Sequence, residues 1–135
     1  MSRTYHHGLA ALAALVLANL CATPALVAEP RSLEGLWSGG GTVNLSSGAT
    51  ERARCRASFS RQSANTFGMS AVCATSSARV AQTARVQRVG ANQFVGDFYN
   101  AEYGVSGRIS ITVSSNRLTA SLSGGGASAH LSLSR

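Results

Sequence analysis

Residues 51–60 read ERARCRASFS, with arginine at positions 52, 54 and 56 and a small or apolar residue at 53, 55, 57 and 59. A two-residue period of this kind marks a β-strand with one face in water and one in a core. Residues 67–73 repeat the pattern, with Phe67, Met69, Ala71 and Cys73 on the apolar positions. Folding the two segments into a hairpin around Ala64 and pairing Cys55 with Cys73 also pairs Ala57 with Ala71 and Phe59 with Met69. Odd positions meet odd positions, so one register serves both the disulfide and the core. A bridge closing a loop of about twenty residues is worth about 3 kcal/mol at most in the chain-entropy account.

The same alternation runs outward from this hairpin. Before it, Leu36–Leu45 places Trp37, Val43 and Leu45 on one face, and SSGAT makes the turn. After it, Ala78–Arg88 aligns Val80, Ala84 and Val86 with Gln82. FVGDFY, Val105–Val113, Arg117–Leu122 and Ser128–Leu133 follow, separated by short Gly/Ser/Asn loops. No connection has room for a crossover helix, so neighbours are antiparallel. The expected fold is all-β: a small eight-stranded, antiparallel, up-and-down barrel of lipocalin-like architecture with one disulfide, the alternative being a two-sheet β-sandwich. Trp37, Phe59, Phe67, Phe94 and Phe98 are expected to occupy most of the interior. Gln82 is the one clearly polar residue expected inside, satisfied there by backbone or a buried water.

The first 28 residues read differently. A short segment carrying Arg3 and no acid precedes the apolar run Gly8–Ala22, which Thr23-Pro24 breaks and ATPALVA follows. This is the pattern of a signal peptide, residues 1–28, cut after Ala28 or Ala25. Residues 29–34 form a short N-terminal segment and 35–135 a single β-barrel domain. The mature chain would be 107 residues long, with eleven arginines, no lysine and five acids, and without a further apolar stretch able to span a bilayer. Removing Cys21 with the signal leaves two cysteines, the even count expected of one disulfide in an exported domain. The expected location is periplasmic or secreted.

Catalytic chemistry finds little support. His130 is the one mature histidine and falls on the outer face of the last strand. Asp97 points outward, Glu102 lies in a turn, and no serine stands in a nucleophile-elbow context. Two thiols and one histidine make a poor metal site. No cofactor is expected, and Gly39–Gly41 lacks the lysine and helix of a phosphate loop.

The outward residues Arg52, Arg54 and Arg56, extended by Arg61 at the loop, form the remaining candidate. Arg54 and Arg56 are expected opposite Ala74 and Val72 on one side and Thr42 and Gly40 on the other, with Asn44 beside Arg52. Guanidinium forks suit phosphate and carboxylate, so the partners expected are anionic envelope glycans or lipid headgroups. Ahead of that reading stands the blander one, a solvated strand face that resists association. Nucleic acid is not expected, because no aromatics interleave with the arginines on that face.

The run GLWSGGGTVNLSSGATERARCRASFS, with MSAVCA, Gly96-Asp97-Phe98 and GVSG at 104–107, resembles small exported proteins of alphaproteobacteria. Those proteins share a G-x-W-S-G-G-G…E-R-x-R-C-R start and have no assigned activity. The resemblance therefore implies export and a shared scaffold only. The expectation is an exported non-enzymatic barrel whose specific role the sequence does not assign, with the arginine face as a weak site for anionic envelope components. The alternative is a protease inhibitor or small-ligand barrel working through loops such as RQSANT and NAEYG.

Overall fold

In the computed structural model, which describes residues 18–24 and 32–135, the alternating segments become eight strands. They are β1 Gly35–Asn44, β2 Thr50–Arg61, β3 Thr66–Ala74, β4 Arg79–Arg88, β5 Gln93–Asn100, β6 Val105–Ser114, β7 Arg117–Gly124 and β8 Ala127–Ser134. Each pairs antiparallel with its neighbour in sequence, and β1 also pairs with β8. The sheet is therefore a closed barrel, which excludes the sandwich. Of the expected signal peptide, residues 1–17 and 25–28 lie outside the described residues, and 18–24 have no regular secondary structure. Among the described residues no helix is long and apolar enough to cross a membrane.

The β2–β3 hairpin has the expected register. Cys55 faces Cys73, Ala57 faces Ala71, Phe59 faces Met69, and the two cysteines form the disulfide. Along both strands the odd positions from Ala53 to Cys73 are buried, apart from those at the hairpin tip, and the arginines are exposed. Apolar side chains line the lumen and polar ones face out, the reverse of a membrane-spanning barrel. A disulfide in a barrel of this kind is consistent with an extracytoplasmic protein.

The β1–β2 register differs from expectation by two residues. Arg52 faces Thr42, Arg54 faces Gly40, and Arg56 faces Ser38, while Asn44 faces Thr50. A two-residue slip keeps every side chain on its face, so alternation alone does not detect it. Here the Thr50 hydroxyl donates to Asn44 Oδ1 at 2.9 Å and pins the short turn.

On opposite sides of the barrel, glycine lets the backbone of a neighbouring strand come close. A Cβ on Gly41 of β1 would overlap the His130 carbonyl oxygen, and one on Gly96 of β5 would overlap that of Arg85. Close approach of another backbone is one of the things strand glycines permit.

The two ends of the barrel are filled unequally. One end holds the β2–β3, β4–β5 and β6–β7 turns together with the segment before β1. There Trp37, Phe67, Phe94, Leu33, Ile111, Leu118, Val86 and Val113 are each less than 2 % exposed. Phe67 and Phe94 meet edge to face with centroids 5.4 Å apart. The Trp37 indole donates to the Leu33 carbonyl oxygen at 3.0 Å, so the segment before β1 caps the plug. Three guanidinium groups cover these rings: Arg61 over Phe67, Arg88 over Phe94 and Arg135 over Trp37, at 5.1, 4.6 and 4.4 Å. Each full burial of an aromatic is worth about 1.5–3 kcal/mol, so this end carries much of the core energy.

Candidate functional site

The opposite end is not filled. Its inward positions hold smaller side chains, including Val43 on β1, Val80 on β4, Val105 on β6 and Ala129 on β8, all only partly buried. They enclose a cup of about 220 Å³ that opens between the β1–β2, β3–β4, β5–β6 and β7–β8 turns. The expectation that five aromatics fill most of the lumen is thereby corrected. All five are buried, but Trp37, Phe67 and Phe94 crowd the closed end, and only Phe98 lines the cup.

The floor of the cup lies at the disulfide. Cys55, Cys73, Gln82, Leu122 and Leu131 line both the cup and a smaller void of about 20 Å³ beneath it. That lower void has room for about one water molecule. Gln82 stands opposite Ala71, whose methyl group leaves the space above it open. The Gln82 carboxamide has no hydrogen-bonding partner among the described residues. Of the two partners expected for it, backbone or a buried water, no backbone group fills the role among the described residues, and the partly buried side chain lines the cup.

The rim adds polar groups to the cup. Glu51 has the same parity as Ala53 and Cys55, so it lines the mouth of the cup rather than the arginine face. The Ser77 hydroxyl donates to Glu51 Oε2 at 2.8 Å and the Ser76 hydroxyl to Oε1 at 3.3 Å. Hydrogen bonds from Ser77, and then Thr75, hold the carboxyl below its usual range. Across the mouth, Asn100 is buried, and its Oδ1 accepts from the Tyr103 backbone N–H at 3.2 Å. The cup is thus an apolar chamber with an amide at its base and a carboxylate at its lip.

On the outer surface the arginines divide into groups. Arg61 leaves the patch expected for it. Its Nε lies 2.9 Å from Glu34 Oε1 and its Nη1 donates to the Ala64 carbonyl oxygen at 3.1 Å, which makes it part of the closed end. Arg79 takes its place, since Ala74 faces Arg54 on one side and Arg79 on the other. Arg52, Arg54, Arg56 and Arg79 border a shallow external trough with Ser38, the β1 glycines, Val72 and Ala74. All four are exposed. Among the described residues the ion pairs are Arg61–Glu34 and Arg108–Asp97, and neither touches the trough.

His130 lies outside, as expected, with its Nδ1 3.1 Å from the Ser121 hydroxyl. Asp97 pairs instead with Arg108, and among the described residues no carboxylate bonds to the His130 ring. Among the described residues no group of three or more histidine, cysteine or acidic side chains is placed to hold a metal ion.

No protein-family model matches the chain, and no curated protein does. Solved structures do resemble it. The redesigned β-barrel mFAP0, bound to DFHBI, superimposes with a TM-score of 0.66 at 17 % identity, covering 76 % of this chain and 98 % of that one. The likeness is one of fold. The redesigned barrel mFAP1, also bound to DFHBI, gives 0.65 at 16 % identity over 76 % and 94 % of the two chains. A fluorescence-activating β-barrel designed de novo gives 0.61 at 12 % over 82 % and 99 %.

Proposed function

We propose that this chain is an exported, non-enzymatic barrel, periplasmic or secreted, that binds one small molecule in the cup at its open end. The observation that carries this reading is the unequal filling of the lumen: a packed aromatic plug at one end and a 220 Å³ chamber at the other. A protein selected only for stability would fill such a space, because each unfilled volume forfeits dispersion contacts and burial. Binding pockets combine apolar walls with a few placed polar groups, which is the composition found here. The DFHBI complexes of mFAP0 and mFAP1 are a precedent for a small molecule held by a barrel of this architecture.

The chemistry of the walls narrows the ligand. Val43, Val80, Phe98, Ala129 and Leu131 suit a ring or short branched chain. Gln82 offers both a donor and an acceptor at the base. The Glu51 carboxylate at the lip disfavours anions, so the ligand is neutral or cationic, about the size of a bicyclic ring. The test is thermal unfolding of the full-length chain with and without 2-naphthol, an apolar bicycle with one hydroxyl. Stabilisation that saturates, and that the cup-filling variant Ala129→Phe abolishes, supports the reading. Equal stabilisation of both proteins, or none of either, counts against it.

A further inference from the structure

The trough on the outer wall is separate from the cup and has its own chemistry. Arg52, Arg54 and Arg56 stand at every second position of β2, so their side chains leave the strand about 6.5–7 Å apart. Arg79 lies two strands away across Ala74, about 9.5 Å from the β2 row. The floor between and beside them is Gly40, Val72 and Ala74, which are too small to shield the guanidinium groups. Glu51, the acid next to Arg52 in the chain, lines the cup and is engaged by Ser76 and Ser77. Four cations are thus gathered on one recessed wall without a counter-charge among the described residues. Like charges so placed destabilise the isolated fold, and an anionic partner removes that cost.

We propose that this trough is the binding surface for a linear acidic glycan, whose carboxylates lie along the β2 row with Arg79 holding the opposite side. A regular row of forks across a depression matches a chain of regularly spaced carboxylates, each able to accept two N–H donors. A lipid surface fits less well. Membrane-bound faces insert apolar side chains beside their basic ones, and none of the barrel's exposed large apolar residues, Leu36, Val89, Tyr99 and Tyr103, lines the trough.

The test uses the full-length chain with polygalacturonate as the acidic glycan and, separately, vesicles containing phosphatidylglycerol. Wild type binds polygalacturonate with an affinity that falls linearly on a log–log plot against salt. Arg79→Ser weakens binding about three- to fivefold and makes the salt slope shallower by about 0.7, the loss of one contact to a flexible polyanion. Arg52→Ser/Arg54→Ser/Arg56→Ser weakens it at least thirtyfold. Arg61→Ser, which removes an already paired cation, and Arg117→Ser, on the far wall, change it less than twofold. If the triple variant does not fold, Arg54→Ser alone carries the test, with a loss like that of Arg79→Ser. Retained 2-naphthol stabilisation in the variants separates this surface from the cup. An Arg117→Ser effect as large as that of Arg79→Ser would reduce the trough to net charge and overturn the proposal. So would saturable vesicle binding without polygalacturonate binding.

Discussion

Gln82 of β4 faces Ala71 of β3 one step below the disulfide, and this pairing sets the floor of the cup. A larger residue at 71 would cover the carboxamide, whereas alanine leaves it bare. No buried side-chain nitrogen or oxygen among the described residues lacks a partner, so the partly buried carboxamide is open to the cup and carries no burial penalty. Gln82→Leu is therefore expected to change the stability of the ligand-free protein by no more than about 0.5 kcal/mol in urea titration while lowering affinity for 2-naphthol about tenfold. A destabilised Gln82→Leu protein would show that the amide serves the fold rather than a ligand.

Removing the disulfide tests the layer above. With the partners 18 positions apart in sequence, Cys55→Ala/Cys73→Ala is expected to lose about 3 kcal/mol, read from urea midpoints with the slope checked for a changed denatured state. The same variant enlarges the cup floor, so its ligand affinity should fall as well.

The closed end should respond quite differently from the open one. Phe94→Ala removes a fully buried ring that packs on Phe67 and lies under Arg88, and is expected to cost about 3–5 kcal/mol. Tyr103→Ser at the mouth, where the ring is half exposed, should stay within about 0.5 kcal/mol. Equal costs at the two ends would contradict the division of the lumen into plug and cup.

Glu51 makes the rim sensitive to acid. Its carboxyl titrates below the usual range because Ser77 and Thr75 hydrogen-bond to its charged form. A depressed carboxylate adds stability that is present above the unfolded-state value and is lost as pH falls through the folded-state value. The wild-type stability curve should therefore steepen downward below about pH 4.5, and Glu51→Gln should flatten that limb while leaving neutral-pH behaviour nearly unchanged. Ser77→Ala should move the Glu51 titration, followed by carboxyl NMR shifts, back up toward the ordinary range.

These features were legible in the sequence to different degrees, for a physical reason. Side-chain parity is local, so ERARCRASFS shows at once which residues face the lumen, and the two cysteines lock β2 to β3 in the observed register. The stagger between strands is not local. Shifting β1 by two residues against β2 keeps Trp37, Val43 and the arginines on their faces but changes their neighbours from those expected to those found. Stagger also decides which inward residues share a layer. That is why five aromatics read as filler for the whole lumen when three of them stack at one end, and why the cup went unseen. Arg79 was missed for the same reason, since only the β3–β4 register brings it across from Arg54. Glu51 is legible as well, because its odd number puts it on the inward face with Cys55.

The most direct test of the account is a backbone amide NMR titration of the full-length chain with 2-naphthol. A ligand of about eleven heavy atoms in such a chamber should bind with a Kd on the order of 10–100 μM. The account predicts one-to-one saturation, with shifts concentrated at Val43, Val80, Gln82, Phe98 and Ala129, no change around Phe67 and Phe94, and loss of the effect in Ala129→Phe. Shifts that do not saturate, that scatter over the outer wall or that persist in Ala129→Phe would contradict it.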